Sequence, residues 1–249
     1  MRGVDGRRPT FADHVTDLLL RLEREQAGAL DRASQLLWDV VTGGRLVHVG
    51  GAGHSIALVL ETFYRAGGLA CVNPVWHPAL LPLFGGPTST QLERIPGLGV
   101  TLVSQAGVRP GDVLVIFSNS GINAVPVDMA IAGRDAGARV VAVVSLDHAR
   151  SVPSRHPSGQ KLPDVADLTI DTGAPLGDAS YRTGPDAPPT APLSTILGAY
   201  IWDTLLVRLA ERAAREGVAL PVWRSANLPG YADDSTELLA RYRGRVVGL

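Results

Sequence analysis

The chain has 249 residues, of which 45% are hydrophobic and 19% charged, and its formal net charge is -1. That balance excludes a disordered chain, a coiled coil and a general polyanion binder, and the missing basic excess argues against nucleic acid as a partner. A single cysteine, Cys71, excludes an intramolecular disulfide and a cysteine-rich zinc site. The first residues, MRGVDGRRPTFADHV, hold no signal-peptide-like apolar stretch, and no run approaches the roughly 20 apolar residues of a bilayer span, so no membrane is expected and the expected location is the cytoplasm.

Residues 10–41 read as helix. Thr10 can cap it with Asp13, and Phe11, Val15, Leu18, Leu19 and Leu22 follow at helical spacing. The Ala27-Gly28 step is where this pattern is expected to break. It resumes with Leu30, Ala33, Leu37 and Val41 and stops at Gly43-Gly44. Residues 1–44 are therefore expected to form a helical arm that packs on the body of the same chain or on a second copy. From Arg45 the texture changes to short apolar strands alternating with helices. Strands are expected at 46–49, 70–74, 113–117 (VLVIF), 140–144 (VVAVV) and, more weakly, 167–170, and helices at 55–66, 124–136, 193–215 and near 234–242. Four prolines make 74–90 a loop or broken turns, while 91–107 is open between helix and strand. The stretch 147–192, rich in Pro, Gly, Ser and Asp, is expected to be a functional loop or mobile lid.

Apolar strands that alternate with helices predict an α/β fold: a three-layer, doubly wound, mostly parallel sheet over residues 45–215, with the 216–249 tail packed on it. Ligands of such sheets bind beyond the carboxyl ends of the strands. Two strand-to-helix loops there share one design, Gly50-Gly51-Ala52-Gly53-His54-Ser55 and Ser118-Asn119-Ser120-Gly121-Ile122-Asn123. Their glycines let the backbone approach a ligand, the helix start offers N–H groups, and Ser and Asn add neutral donors. Together these make a phosphate cradle that needs no lysine. Neither loop fits the G-x-x-x-x-G-K-[ST] or the G-x-G-x-x-G pattern. A third polar step, Ser194-Thr195, opens the late helix and on its own reads as an N-cap.

The three pieces together resemble the sugar isomerase (SIS) domain, a flavodoxin-like phosphosugar-binding fold. Ser118–Asn123 matches its S-x-S-G-x-[TS] signature except that Asn123, which can still donate to phosphate, stands where threonine is usual. The resemblance spans roughly residues 10–215, and Glu61-Thr62-Phe63-Tyr64-Arg65-Ala66-Gly67-Gly68-Leu69 resembles a group of single-domain SIS proteins of uncharacterised function. It implies that Ser118, Ser120 and Asn123 hold a sugar 6-phosphate with Ser55 and backbone N–H groups, and Gly51, Gly53, Asn119, Gly121, Ser194 and Thr195 complete the implied site. It also implies a homodimer or dimer of dimers with sites near the interface.

Phosphosugar chemistry of this kind removes a proton beside a carbonyl and needs a base and an acid. Glu61 has apolar flanks (Leu58, Val59, Leu60 and Phe63) that would raise a carboxyl pKa by desolvation, and its alternative is an i,i+4 pair with Arg65. His54 in the glycine loop and His77 in the proline-rich loop are candidate proton shuttles. His48 is expected to pack, and His14, His148 and His156 have no supporting partner in the sequence. No histidines stand at i,i+4 spacing, so neither a metal nor another cofactor is expected. Three functions remain: a lyase that takes the C2 proton of an amino-sugar 6-phosphate and eliminates at C3, an aldose–ketose isomerase, and a non-catalytic sugar-phosphate sensor. Regulators of the resembled family carry a helix-turn-helix domain before the SIS domain, for which the residues ahead of Gly50 leave no room. The family's ammonia-handling members have two tandem SIS domains and a catalytic lysine near the C-terminus. Here the only lysine, Lys161, lies mid-chain, which argues against a Schiff-base route.

Overall fold

The structure is a computed structural model that describes residues 10–184, 186–228 and 231–249, without the side chains of 231–234. The start of the expected arm, residues 1–9, lies outside the described residues. Five parallel strands form one sheet: β1 (Val47–Gly51), β2 (Val72–Val75), β3 (Val113–Phe117), β4 (Arg139–Val144) and β5 (Leu168–Asp171), in the order β2-β1-β3-β4-β5. The helices are α1 (Phe11–Glu25), α2 (Ala27–Thr42), α3 (Ile56–Thr62), α4 (Gly86–Leu92), α5 (Leu98–Gln105), α6 (Ala124–Asp135), α7 (Leu146–Ser151), α8 (Leu162–Val165), α9 (Ser194–Glu216) and α10 (Tyr231–Tyr242). A separate antiparallel pair, β6 (Ala179–Tyr181) and β7 (Thr190–Pro192), stands before α9.

The apolar strands are uniform in sequence because both faces of the sheet are covered. Val113, Val115, Phe117, Val141 and Val143 point into a core shared with α2, α3 and α9, while Leu114, Ile116, Val140, Ala142 and Val144 point into a second core shared with α5 and α6. These are the three layers expected of a doubly wound fold. α2 is not a detached arm: Leu30, Ala33, Leu37 and Val41 are buried in the same core as Leu197, Ile201 and Leu205 of α9. The tail joins that core through Trp223, Tyr242 and Val246, and its backbone bonds Gly67, Gly68 and Ala70 ahead of edge strand β2.

The Thr10–Asp13 capping box forms, with Asp13 N donating to Thr10 Oγ1 at 3.2 Å and Thr10 N to Asp13 Oδ2 at 2.8 Å. The helical break falls at Gln26 rather than at Ala27-Gly28, because the Gln26 side chain turns to accept the edge-strand N–H of Asp171 at 3.1 Å. The undecided stretch 91–107 holds no strand: it carries the end of α4, turns over 93–97, and α5. The stretch 147–192 is not one irregular lid; it carries α7, α8, β5 and the β6–β7 pair. Local caps explain part of this order: Ser145 Oγ accepts His148 N at 3.1 Å, and Asp164 accepts Lys161 N at 2.8 Å. His48 does pack, fully buried between Asp112 Oδ2 at 3.1 Å and Asn73 Nδ2 at 3.0 Å. Among the described residues no helix is long and apolar enough to cross a membrane.

Candidate functional site

The two central strands end side by side, Gly51 of β1 opposite Phe117 of β3. After β1 the chain turns to one face of the sheet, where Leu58 and Val59 of α3 join the core with α9. After β3 it turns to the other, where Val125 and Met129 of α6 join the core with α5. This divergence opens a crevice beyond the strand ends, the place where open α/β sheets bind ligands. A cavity of about 430 Å³ fills it, lined by both expected loops and by Glu93, His148, Asp178 and Ser194.

The first loop turns through Gly53–Ser55, a short 3₁₀ turn ahead of α3. A Cβ on Gly51 would sit 2.9 Å from the Ser55 carbonyl oxygen, so only glycine lets the loop fold back this tightly. In the second loop Ser118 Oγ accepts the Gly121 N–H at 3.2 Å, which bends the chain at the left-handed Gly121 (φ 63). The Ser118 hydroxyl proton remains free to donate to a ligand. Among the described residues nothing accepts the N–H groups of Ser120, Ile122 or Asn123. The loop is braced from behind, with Leu162 N donating to Gly121 O and Arg155 N to Ile122 O, both at 2.8 Å.

Asn123 is buried and works in two directions. Its Oδ1 accepts Arg155 Nη1 at 2.9 Å, and its side chain hydrogen-bonds Glu93. Burial raises the Glu93 carboxyl above its ordinary value; the Asn123 hydrogen bond and the charges of Arg94 and Arg155 pull the other way without cancelling it. Glu93 is anchored by its backbone, because its carbonyl accepts Val125 N of α6 at 3.1 Å. Across the cavity the buried atoms His148 Nδ1 and Asn119 Oδ1 have no partner among the described residues, as polar groups facing a ligand site would. The site can thus grip an anion with amides and hydroxyls beside a carboxyl whose hold on a proton is strengthened by desolvation, the direction that suits a general base.

The cavity brings together Gly53, His54, Ser55, Ser118, Asn119, Ser120, Asn123 and Ser194, while Gly51 and Gly121 shape its loops. It does not include Glu61, His77 or Thr195. Glu61 stands outside the cavity on α3, part-buried with its side chain 30% exposed, and forms the i,i+4 pair with Arg65. His77 accepts Ala79 N at 3.2 Å and so caps the short turn Pro78–Leu80. Thr195 is exposed, and Ser194 gives its hydroxyl to Asp178 at 2.7 Å. Sequence reasoning missed Glu93, His148 and Asp178. His148 had a legible signal, since it lies four residues after the VVAVV strand, in the first turn of the helix that follows it. Glu93 and Asp178 had none, because their place depends on contacts made far along the chain. Among the described residues no three His, Cys, Asp or Glu side chains are grouped to hold a metal ion.

Residues 10–145, more than half the chain, match the SIS domain family. The chain belongs to the SIS domain family. Over nearly its whole length it is similar to a UPF0309 protein of Shouchella clausii, 34% identical over 237 residues, covering 95% of this chain and 96% of that one. A UPF0309 protein of Streptomyces coelicolor is 36% identical over 238 residues, covering 95% of each. A solved phosphoheptose isomerase from Neisseria gonorrhoeae shares the SIS fold at a TM-score of 0.51 and 15% identity, over 79% of this chain and 94% of that one.

Proposed function

We propose that this SIS protein is an enzyme that binds a sugar 6-phosphate in the crevice between β1 and β3 and removes the proton at C2, beside the carbonyl carbon. The observation that carries the reading is Glu93, a carboxyl raised by burial, in one cavity with the Ser118–Asn123 loop. The phosphate sits on the loop's amides and on the Ser118 and Ser120 hydroxyls, helped by Ser55 and Asn123. Glu93 takes the C2 proton, the proton of the C2 hydroxyl passes to O1, and return of the first proton to C1 completes an aldose–ketose isomerisation. A second reading, elimination of a C3 substituent from an amino-sugar 6-phosphate, begins with the same abstraction. It is favoured by His54 and His148, which line the same cavity and give an acid for the departing oxygen. No step needs a metal or a cofactor. The protein works as a homodimer or dimer of dimers with a second copy beside the site: Leu83 is 89% and Phe84 71% exposed between Pro82 and Gly86, both of which line the cavity.

The test is incubation with hexose and hexosamine 6-phosphates in deuterated water, followed by NMR, for the wild type, Glu93→Gln and the Ser118→Ala/Ser120→Ala double variant. Wild type incorporates deuterium at C2. Glu93→Gln lowers exchange by a factor on the order of 10² to 10⁴, the usual worth of a positioned base. The double variant exchanges only at much higher substrate concentration. Normal exchange by Glu93→Gln, or unaltered saturation of the double variant, refutes the respective role.

A further inference from the structure

Two helices begin at the cavity, and they begin differently. At α6 the loop N–H groups of Ser120, Ile122 and Asn123 meet no acceptor among the described residues. At α9 an internal carboxylate already takes three donors: Asp178 Oδ1 accepts Leu193 N at 3.0 Å and Ser194 N at 2.7 Å, and Asp178 Oδ2 accepts Ser194 Oγ at 2.7 Å. Asp178 belongs to the root of the β6–β7 pair and holds a left-handed backbone (φ 70), a conformation that aspartate tolerates and most residues avoid. The pair is itself tied down, with His14 Nε2 2.7 Å from Ser180 Oγ and the Phe11 and Tyr181 rings edge to face at 6.0 Å. The carboxylate is therefore held in place at the cavity wall. Ser194 also adjoins Ser55, Ser118 and Asn119 around a small void, so the start of α9 and the second loop face the same ligand.

Among the described residues no lysine or arginine lines this cavity, and its walls carry two carboxyl groups, Glu93 and Asp178, with the imidazoles of His54 and His148. A helix start unoccupied by the chain attracts an anion; one filled by an internal carboxylate repels a second. We infer that Asp178 is a specificity-determining residue that restricts the ligand to one anionic group, the phosphate held by the 118–123 loop, and requires the rest of the sugar to be uncharged or cationic. This rests on the reading of the cavity as a sugar-phosphate site. It excludes sugar bisphosphates and phosphorylated sugar acids, and it excludes elimination substrates whose leaving group bears a carboxylate.

The experiment is calorimetric titration of the full chain at fixed ionic strength. The probes are the 6-phosphates of glucose, mannose, fructose and glucosamine, set against 6-phosphogluconate and fructose 1,6-bisphosphate. The wild type binds its best monophosphate at least tenfold more tightly than either doubly anionic probe. Asp178→Gly, which suits the left-handed backbone, and Asp178→Asn, which keeps an acceptor for the α9 amides, each narrow that gap at least fivefold. Equal wild-type affinity for singly and doubly anionic probes overturns the inference without recourse to any variant. So does an unchanged gap in two variants that retain the wild-type circular dichroism spectrum. If no probe binds to any of the proteins, the phosphate site itself falls, and this inference with it. Binding of monophosphates with no discrimination defeats the inference alone.

Discussion

Gly121→Ala tests whether the second loop is held as rigidly as a preformed cradle requires. The glycine has φ 63, and a Cβ there would lie 2.8 Å from Val144 Cγ2 and 3.4 Å from both Leu162 Cβ and Pro163 Cδ. The left-handed backbone costs an L-residue roughly 1–2 kcal/mol. Crowding a packed core adds about 1–3 kcal/mol, since Val144 and Leu162 are fully buried and have no room to retreat. The sum is a loss of roughly 2–5 kcal/mol, a large part of the 5–15 kcal/mol typical of a folded domain. Gly107 provides the control: its φ is 65, yet nothing lies within 4 Å of its added Cβ, so Gly107→Ala carries the backbone cost alone. Urea unfolding of both variants measures the difference. Gly121→Ala should lose about 1–3 kcal/mol more than Gly107→Ala and should weaken sugar-phosphate binding, which Gly107→Ala leaves intact. Equal losses for the two variants would show that the loop yields to the extra methyl, and the rigid cradle would be refuted.

The pH dependence of stability follows from Glu93, whose folded carboxyl titrates above its ordinary value of 4.5 because it is buried. The folded state holds this proton more tightly than the unfolded chain does, so the group's favourable contribution is full below the unfolded pKa and is lost as pH rises through the folded one. Glu93→Gln, neutral throughout, should unfold at higher urea than the wild type at pH 8, with the advantage shrinking toward pH 4; a constant difference across that range contradicts the assignment. The Leu83→Asp/Phe84→Asp double variant should shift light-scattering mass toward the monomer, and an unchanged mass places the contact between copies elsewhere.

Much of the fold was legible locally. VLVIF and VVAVV read as buried strands because parallel strands are apolar on both faces, and the Gly-rich and Ser-rich runs after them read as ligand loops because strand ends are where such sheets open. Thr10 and Asp13 announced a capped helix for the same reason, since the interaction is complete within four residues. The chain was less informative where a side chain's setting depends on distant partners. Apolar neighbours in sequence made Glu61 look buried, yet on α3 those neighbours face different directions: Leu58 and Val59 point into the core and Leu60 is 61% exposed. Glu93, in a stretch open between helix and strand, reaches the crevice because its backbone carbonyl is tied to the start of α6, a contact made with residues distant in the sequence.

The order of strands and helices, and the two loops that approach an anion, are properties of short segments: their apolar spacing and glycine content decide them whatever else the chain does. Which charged groups meet those loops was decided by tertiary packing alone. Glu93 arrives between α4 and α5, His148 at the start of α7, and Asp178 from the root of the β6–β7 pair, each carried in by an element whose position is set by the two cores. Desolvation and mutual approach are properties of three-dimensional neighbours, so the chemistry of the crevice exists only once the sheet has been covered on both sides.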